Sequence, residues 1–109
     1  MPKGVFIGEF EQLVLLAILR LDNDAGVLPL RRRMNELAGR SISRGALYRT
    51  LDRLEAKGWV AWTLAGDDRP ERGGHPARRF RVTRPGIAAL RASRHTLLAL
   101  WDGLERVLR

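Results

Sequence analysis

Residues 41–58 read Ser-Ile-Ser-Arg-Gly-Ala-Leu-Tyr-Arg-Thr-Leu-Asp-Arg-Leu-Glu-Ala-Lys-Gly and predict a helix with one apolar and one basic face. Ser43 predicts the start of the helix, because its hydroxyl can accept a hydrogen bond from an unpaired amide of the first turn. Gly58 predicts its end, because glycine readily adopts the left-handed conformation that closes helices. Three leucines at helical spacing form one buried stripe: Leu47, Leu51 and Leu54.

The face opposite the leucines is the one expected to meet a partner. At about 100° per residue, it contains Gly45, Arg49, Asp52, Arg53 and Ala56. Tyr48 lies on the flank of the helix, with its hydroxyl able to reach outward. A short basic helix with small residues at its start and an aromatic ring on its shoulder suits the major groove of DNA. The alternative is a solvated surface helix, because the acidic residues dilute its positive charge.

The charge of the whole chain favours a polyanionic partner. Its 109 residues suggest one domain with a modest core, and 20 Lys+Arg against 12 Asp+Glu give a formal charge of +8. In so small a protein, this charge indicates nucleic acid first and an acidic membrane second. The absence of cysteine excludes disulfides, thiolate metal sites and cysteine nucleophiles.

The N-terminal sequence predicts neither secretion nor membrane insertion. Residues 1–8 lack the charged-then-apolar layout of a signal peptide. The longest apolar run, at residues 13–19, is far too short to span a bilayer. We therefore expect a cytoplasmic protein with no membrane partner.

Two helices are predicted before the basic one. Residues 9–21 are apolar almost all round, which is typical of a helix buried on several sides or shared with a second subunit. Residues 22–26 have the composition of a turn. Residues 27–38 carry an inner apolar stripe, and Pro29 fits in the first turn of that helix. The arginines at 31–33 form either a solvated face or phosphate contacts, as the first helix of a helix-turn-helix pair does.

After Gly58 the apolar period changes from that of a helix to that of a strand. Residues 60–64 and 79–83 alternate apolar and polar side chains, which predicts a β-hairpin. The tip between them is long and basic, and loops of this length are often functional. The predicted fold is mainly α with a small β-hairpin: a winged helix-turn-helix over residues 1–83, followed by a C-terminal dimerisation helix. The hairpin, residues 60–83, is the predicted wing.

Residues 84–109 are predicted to form that last helix. Thr83 precedes it, and Pro85 fits in its first turn. A seam of period 3.5, typical of a coiled coil, contains Ile87, Leu90, Arg94, Leu97, Trp101, Leu104 and Leu108. Strict heptads favour a homodimer over a helix folded back on its own core. The dimerisation surface predicted from both terminal helices contains Phe10, Leu13, Leu16, Leu90, Leu97, Trp101, Leu104 and Leu108.

With these elements, the chain resembles the PadR family of bacterial transcriptional regulators. The resemblance rests on Gly-Ala-Leu-Tyr-Arg-Thr-Leu-Asp-Arg-Leu-Glu-Ala-Lys-Gly-Trp-Val at 45–60 and Gly-Gly-His-Pro-Ala-Arg-Arg-Phe-Arg-Val-Thr-Arg-Pro-Gly at 73–86. The predicted helix at 9–21 fits as well, so that the similarity covers about residues 9–95. The resemblance implies a DNA-binding winged helix that dimerises through its terminal helices. It also implies that Tyr48 and its neighbours contact DNA.

The chain departs from the family pattern in two places. Many members carry a His-Gly-Tyr-like stretch before the second helix, where residues 25–29 read Ala-Gly-Val-Leu-Pro. The C-terminal part is one short helix, so ligand-binding roles of longer C-terminal domains do not carry over.

Three hypotheses of function follow. The first is a sequence-specific transcriptional regulator, a homodimeric repressor that binds a palindromic operator in double-stranded DNA. Its DNA-binding residues would be Ser43, Arg44, Gly45, Tyr48, Arg49, Arg53, Arg72, Gly74, His75, Arg78 and Arg79. The second adds an aromatic small-molecule effector stacked on Trp101 at the dimer interface, where simple packing is the alternative role of this ring. The third is a protein-interaction module without DNA binding, against which the positive charge argues.

The sequence contains no recognisable catalytic constellation, so we expect neither an enzyme nor a cofactor. His75 and His95 are far apart in the chain, and Glu71 beside His75 has no third ligand near it. His75 is better explained as a wing residue near phosphate than as a metal ligand. Residues 73–74, a glycine pair, predict a turn rather than a phosphate-binding loop.

Overall fold

The computed structural model describes residues 7–39, 41–64 and 77–109, and four helices and three strands lie in this part of the chain. They follow in the order α1 (Glu9–Arg20), β1 (Ala25–Gly26), α2 (Val27–Ala38), α3 (Arg44–Ala56), β2 (Val60–Leu64), β3 (Arg78–Val82) and α4 (Arg84–Trp101). This order confirms the predicted winged helix-turn-helix with a C-terminal helix.

The strands form one antiparallel sheet in the order β1-β3-β2. Phe80 lies in the central strand, opposite Trp62 on one side and Ala25 on the other. The sequence predicted only a turn at residues 22–26, because a strand of two residues is too short to show an alternating pattern. The strand predicted at 79–83 begins and ends one residue earlier, since Thr83 is the N-cap of α4.

The predicted leucine stripe of α3 is buried in the core. The core cluster that contains these leucines also contains residues of α1, α2 and the sheet. The largest fully buried side chains of this core are Val14, Leu15, Ile18, Leu30, Leu47, Leu51, Leu54 and Phe80. Burying the stripe leaves the opposite face of α3 outside the domain.

The turn after α1 is bonded to the central strand through one amide side chain. The Val82 N–H donates to Asn23 Oδ1 at 2.7 Å, and Asn23 Nδ2 donates to the Val82 carbonyl at 3.3 Å. The Asn23 side chain therefore makes the two hydrogen bonds with the Val82 backbone that a residue of a neighbouring strand would make. Asp22 and Asn23 adopt φ values of 60° and 56°, which short polar residues tolerate better than others.

The start of α4 is held against the turn between α3 and β2. Thr83 Oγ1 donates to the Gly58 carbonyl at 2.6 Å and accepts from the Gly86 N–H at 3.2 Å. Gly86 is buried, and a Cβ built there would overlap the Trp59 carbonyl oxygen and lie 2.7 Å from Val82 Cγ1. Only glycine allows α4 to approach this closely.

The last helix is shorter than the heptad pattern predicts. It ends at Trp101, and Gly103 follows with a φ of 82°, so a left-handed residue interrupts the helical path. Leu104 and Leu108 therefore lie beyond the end of the helix. Leu90, assigned from sequence to the surface between subunits, is only 8% exposed within the chain's own core and has little surface left for a partner.

A buried carboxylate on α1 fixes the far end of α3. Lys57 Nζ donates to Glu11 Oε2 at 2.8 Å and to Oε1 at 3.1 Å, and the Gly8 N–H donates to Oε1 at 3.1 Å. Arg53 Nε lies 4.0 Å from Glu11 Oε2. Burial of the carboxyl would raise the pKa of Glu11, but the hydrogen bonds from Lys57 and Gly8 and the two positive charges hold that pKa below its ordinary value of 4.5.

Gly86→Ala is expected to destabilise the protein although alanine is the better helix former. The overlap with the Trp59 carbonyl must be relieved by moving α4, which costs ~1–3 kcal/mol of unfolding free energy and lowers the melting temperature by several degrees. Gly45→Ala is the matched control, because its Cβ would meet only the flexible Arg49 guanidinium. Thermal melts followed by circular dichroism test both variants, and equal melting temperatures would contradict the proposed close approach.

Glu11→Gln is expected to lower the free energy of unfolding by about 1 kcal/mol at neutral pH, a modest value because Lys57 is partly solvated. The pKa of Glu11 is lower in the folded state, so this stabilisation is present above pH 4.5 and is lost as the pH falls through the folded-state pKa. Urea unfolding at pH 7 and at pH 3 should therefore show a difference between wild type and variant that shrinks in acid. Glu36→Gln, an exposed position on α2, is the control and should have little effect at pH 7.

Candidate nucleic-acid interface

The start of α3 is held in place by two side chains of α2. The Ile42 N–H donates to Asn35 Oδ1 at 2.8 Å, and Arg31 Nε donates to the Ile42 carbonyl at 2.6 Å. Ser43 then caps α3, since its hydroxyl accepts from the Ala46 N–H at 3.1 Å. The cap confirms the predicted helix start. Arg31, for which the sequence left a solvated or a phosphate-binding role open, is bonded to the turn instead.

The first turns of α3 present a small and basic surface to solvent. Ser43, Arg44, Gly45 and Arg49 are all exposed. A Cβ at Gly45 would lie 3.3 Å from an Arg49 guanidinium nitrogen, so this guanidinium reaches back over Gly45. The outward positions of Gly45 and Arg49 are as predicted, and the contact of all four residues with DNA stays a prediction.

Arg53 lies one helical turn beyond Arg49 and is partly engaged within the domain. One of its terminal nitrogens donates to the buried Thr50 hydroxyl at 3.1 Å, and its Nε faces the Glu11 carboxylate. Arg53 therefore offers less free positive charge than Arg49. A phosphate would have to compete with these partners for its guanidinium.

The base of the hairpin is attached to α3 by aromatic and polar contacts. Trp62 Nε1 donates to Glu55 Oε2 at 2.8 Å. The Arg78 guanidinium carbon lies 5.7 Å from the ring centroid of Tyr48, 5.2 Å from that of Trp62 and 5.8 Å from that of Phe80. These distances are within the range of cation–π interactions. These contacts join the base of the hairpin to α3.

The structure describes one of the other hairpin residues that were predicted to bind DNA. Arg79 is exposed, but its Nε donates to Asp24 Oδ1 at 2.7 Å and a terminal nitrogen donates to the Asp24 carbonyl at 3.2 Å. Its charge is thus partly neutralised by the turn after α1. Arg72, Gly74 and His75 lie outside the described residues.

Sequence reasoning missed the contacts that position this surface. The alternating pattern of β3 offered one usable signal, because Arg78 shares the parity of the buried Phe80 and Val82. The bond between Asn35 and Ile42 had no such signal, since it joins a helix to an irregular turn.

In the part of the chain that the structure describes, no group of three or more His, Asp or Glu side chains could hold a metal ion, and no helix is long and apolar enough to cross a membrane.

Comparison with known proteins identifies a family and a set of similar structures. Residues 15–92 match the family described as "Transcriptional regulator PadR-like family". No curated protein sequence matches the chain significantly.

Among solved structures, a PadR family transcriptional regulator from Eggerthella lenta DSM 2243 is 26% identical with a TM-score of 0.68, over 93% of this chain and 87% of that chain. A PadR-like transcriptional regulator from Bacillus cereus strain ATCC 14579 is 17% identical with a TM-score of 0.71, over 92% and 91%. F93 from STIV, a winged-helix DNA-binding protein, is 14% identical with a TM-score of 0.71, over 91% and 98%. The last two similarities concern the fold alone.

Proposed function

The chain belongs to the PadR-like family of transcriptional regulators, and we propose that it is a homodimeric repressor that binds a specific palindromic site in double-stranded DNA. The observation that carries this proposal is the exposed, basic start of α3, held by Asn35 and Arg31 at one end and by Glu11 at the other. A recognition helix must be fixed in this way if its side chains are to meet base edges reproducibly.

The proposed DNA contacts have three purposes: close approach of the α3 backbone to the groove, recognition of bases and binding of phosphate. Gly45 lets the backbone of α3 come close to the groove, and Arg49 reaches a guanine edge or the backbone with its planar guanidinium. Tyr48 contacts DNA from the flank of α3. Ser43 is proposed to allow the same close approach as Gly45. Phosphate contacts, which position the protein without reading sequence, are proposed for Arg44, Arg53, Arg72, Gly74, His75 and Arg79.

The proposed dimer surface is an apolar face that continues past the body of the domain. Ser93 Oγ on α4 donates to Gln12 Oε1 on α1 at 3.2 Å, and from residue 94 onward all of α4 is exposed. Leu97 and Trp101 lie near the line of Leu90 at helical spacing, yet they are 43% and 47% exposed. A second copy of the chain would cover this face, together with Leu16 of α1, which is 45% exposed.

Trp101 has two proposed roles at this surface. The ring packs across the dimer, or it stacks on a planar aromatic effector between the subunits. Both roles use the same half-exposed indole, and both depend on the second copy. The twofold arrangement would bring two α3 helices to successive major grooves, about 34–36 Å apart.

Arg49→Ala is expected to weaken binding to the specific site by ~1–3 kcal/mol if Arg49 contacts a base. Fluorescence anisotropy with a palindromic site from the gene's own upstream region measures this loss. The wild-type affinity should fall steeply as salt rises, because arginines displace counterions from phosphate. Arg91→Ala, an exposed position on α4, is the control and should bind like wild type. A flat salt response, or equal affinity for random DNA, would contradict the proposed function.

Leu97→Glu is expected to shift the protein from dimer to monomer, because a charge would be buried in an apolar interface. Sedimentation equilibrium measures the change, and DNA affinity should fall with it because the two half-sites are no longer linked. Leu37→Glu is the matched control, since Leu37 is also exposed but lies on α2. If wild type is a monomer at micromolar concentration, the homodimer proposal is wrong.

A further inference from the structure

We infer that Arg78 is a positioning residue for Tyr48 and the base of the wing, and not a phosphate ligand. The inference rests on the proposed DNA binding and assigns Arg78 a role different from that of its neighbours in β3. It replaces the phosphate contact that the basic composition of the hairpin suggested.

The alternation of side chains along β3 directs Arg78 toward the domain. Alternate residues of a strand point to opposite faces, and Phe80 and Val82 are buried while Arg79 and Arg81 are exposed. Arg78 is two residues before Phe80 and is half-buried. The other two arginines of the strand lie on its outer face, where Arg79 is bonded to Asp24.

The guanidinium of Arg78 lies among three aromatic rings from three elements. Tyr48 belongs to α3, Trp62 to β2 and Phe80 to β3 itself, and each ring centroid is within 5.8 Å of the guanidinium carbon. Planar guanidinium groups are attracted to aromatic faces and are weakly hydrated, so they tolerate such a site well. The bond from Trp62 to Glu55 fixes one of the three rings to α3.

This arrangement has a direct consequence for Tyr48. A tyrosine on the flank of α3 can rotate about its side-chain bonds when free, and binding DNA would then require ordering it. The contact with Arg78 limits that rotation before DNA arrives. Arg78 thus raises affinity through Tyr48 and through the angle of the wing, without touching the nucleic acid.

The first experiment compares Arg78→Ala with Arg78→Met across a salt series on the specific site. Methionine has no charge but fills space between aromatic rings well. A positioning role predicts that Ala weakens binding on the order of tenfold, that Met restores most of the loss, and that neither variant changes the salt slope. A phosphate ligand would instead lower the slope by about one per subunit in both variants. Arg81→Ala is the matched control, because it removes one arginine charge from the outer face of the same strand without removing the Arg78 contacts with the rings.

The second experiment is a double-mutant cycle between Arg78→Ala and Tyr48→Phe. If Arg78 acts through Tyr48, removing the tyrosine hydroxyl should weaken binding in wild type and have little effect in the Arg78→Ala background. A merely structural role of Arg78 would leave the two losses additive. Melting curves show whether each variant is folded, and if Arg78→Ala is unfolded, Arg78→Ser replaces it in the cycle, because serine is also too short to reach the rings.

The inference is wrong if the salt slope falls in both Arg78 variants, or if Arg78→Ala binds the specific site with full affinity. It is also wrong if Ala and Met lose the same affinity and the losses from Arg78→Ala and Tyr48→Phe are additive. Each of these requires that wild type binds the specific site. If wild type itself shows no specific binding, the proposed function fails and Arg78 is not in question.

Discussion

The burial of a single leucine stripe decides which surface of α3 this protein offers to a partner. Leu47, Leu51 and Leu54 lie in one buried core with residues of α1, α2 and the sheet, and removing them from water is the main favourable term that holds the helix. Because side chains of a helix recur every 3.6 residues, this burial leaves Gly45 and Arg49 on the outer side. The basic surface is a geometric consequence of the core.

Polar contacts add the precision that apolar burial lacks, because hydrophobic packing is not directional. Asn35 and Arg31 bind the N–H and the carbonyl of Ile42 just before the start of α3. At the other end of α3, Lys57 donates a hydrogen bond to the Glu11 carboxylate. Glu11 belongs to α1, the helix that also carries the exposed Leu16. The element proposed to join two subunits is therefore bonded directly to the element proposed to meet DNA, with no flexible link between them.

The heptad pattern of the C-terminal region divides into a buried part and an exposed part. Its first part, with Leu90, belongs to the chain's own core, and its second part, with Leu97 and Trp101, is exposed. One apolar stripe thus attaches α4 to its own domain and continues as a free surface. The local pattern is the same in both parts, since periodicity records that a face is apolar and not which chain covers it.

Local signals in the sequence determined the main helices, their caps and the family. Ser43 and Thr83 cap the helices predicted to follow them, and Gly58 takes the predicted left-handed conformation, because each of these preferences is satisfied within a few residues. Tertiary structure alone decided the edge strand β1 and the partners of Arg53, Arg78 and Arg79. Those features depend on contacts between distant segments, as does the bond between Asn23 and Val82 across a sequence separation of 59 residues, and local patterns do not encode which groups the folded chain brings together.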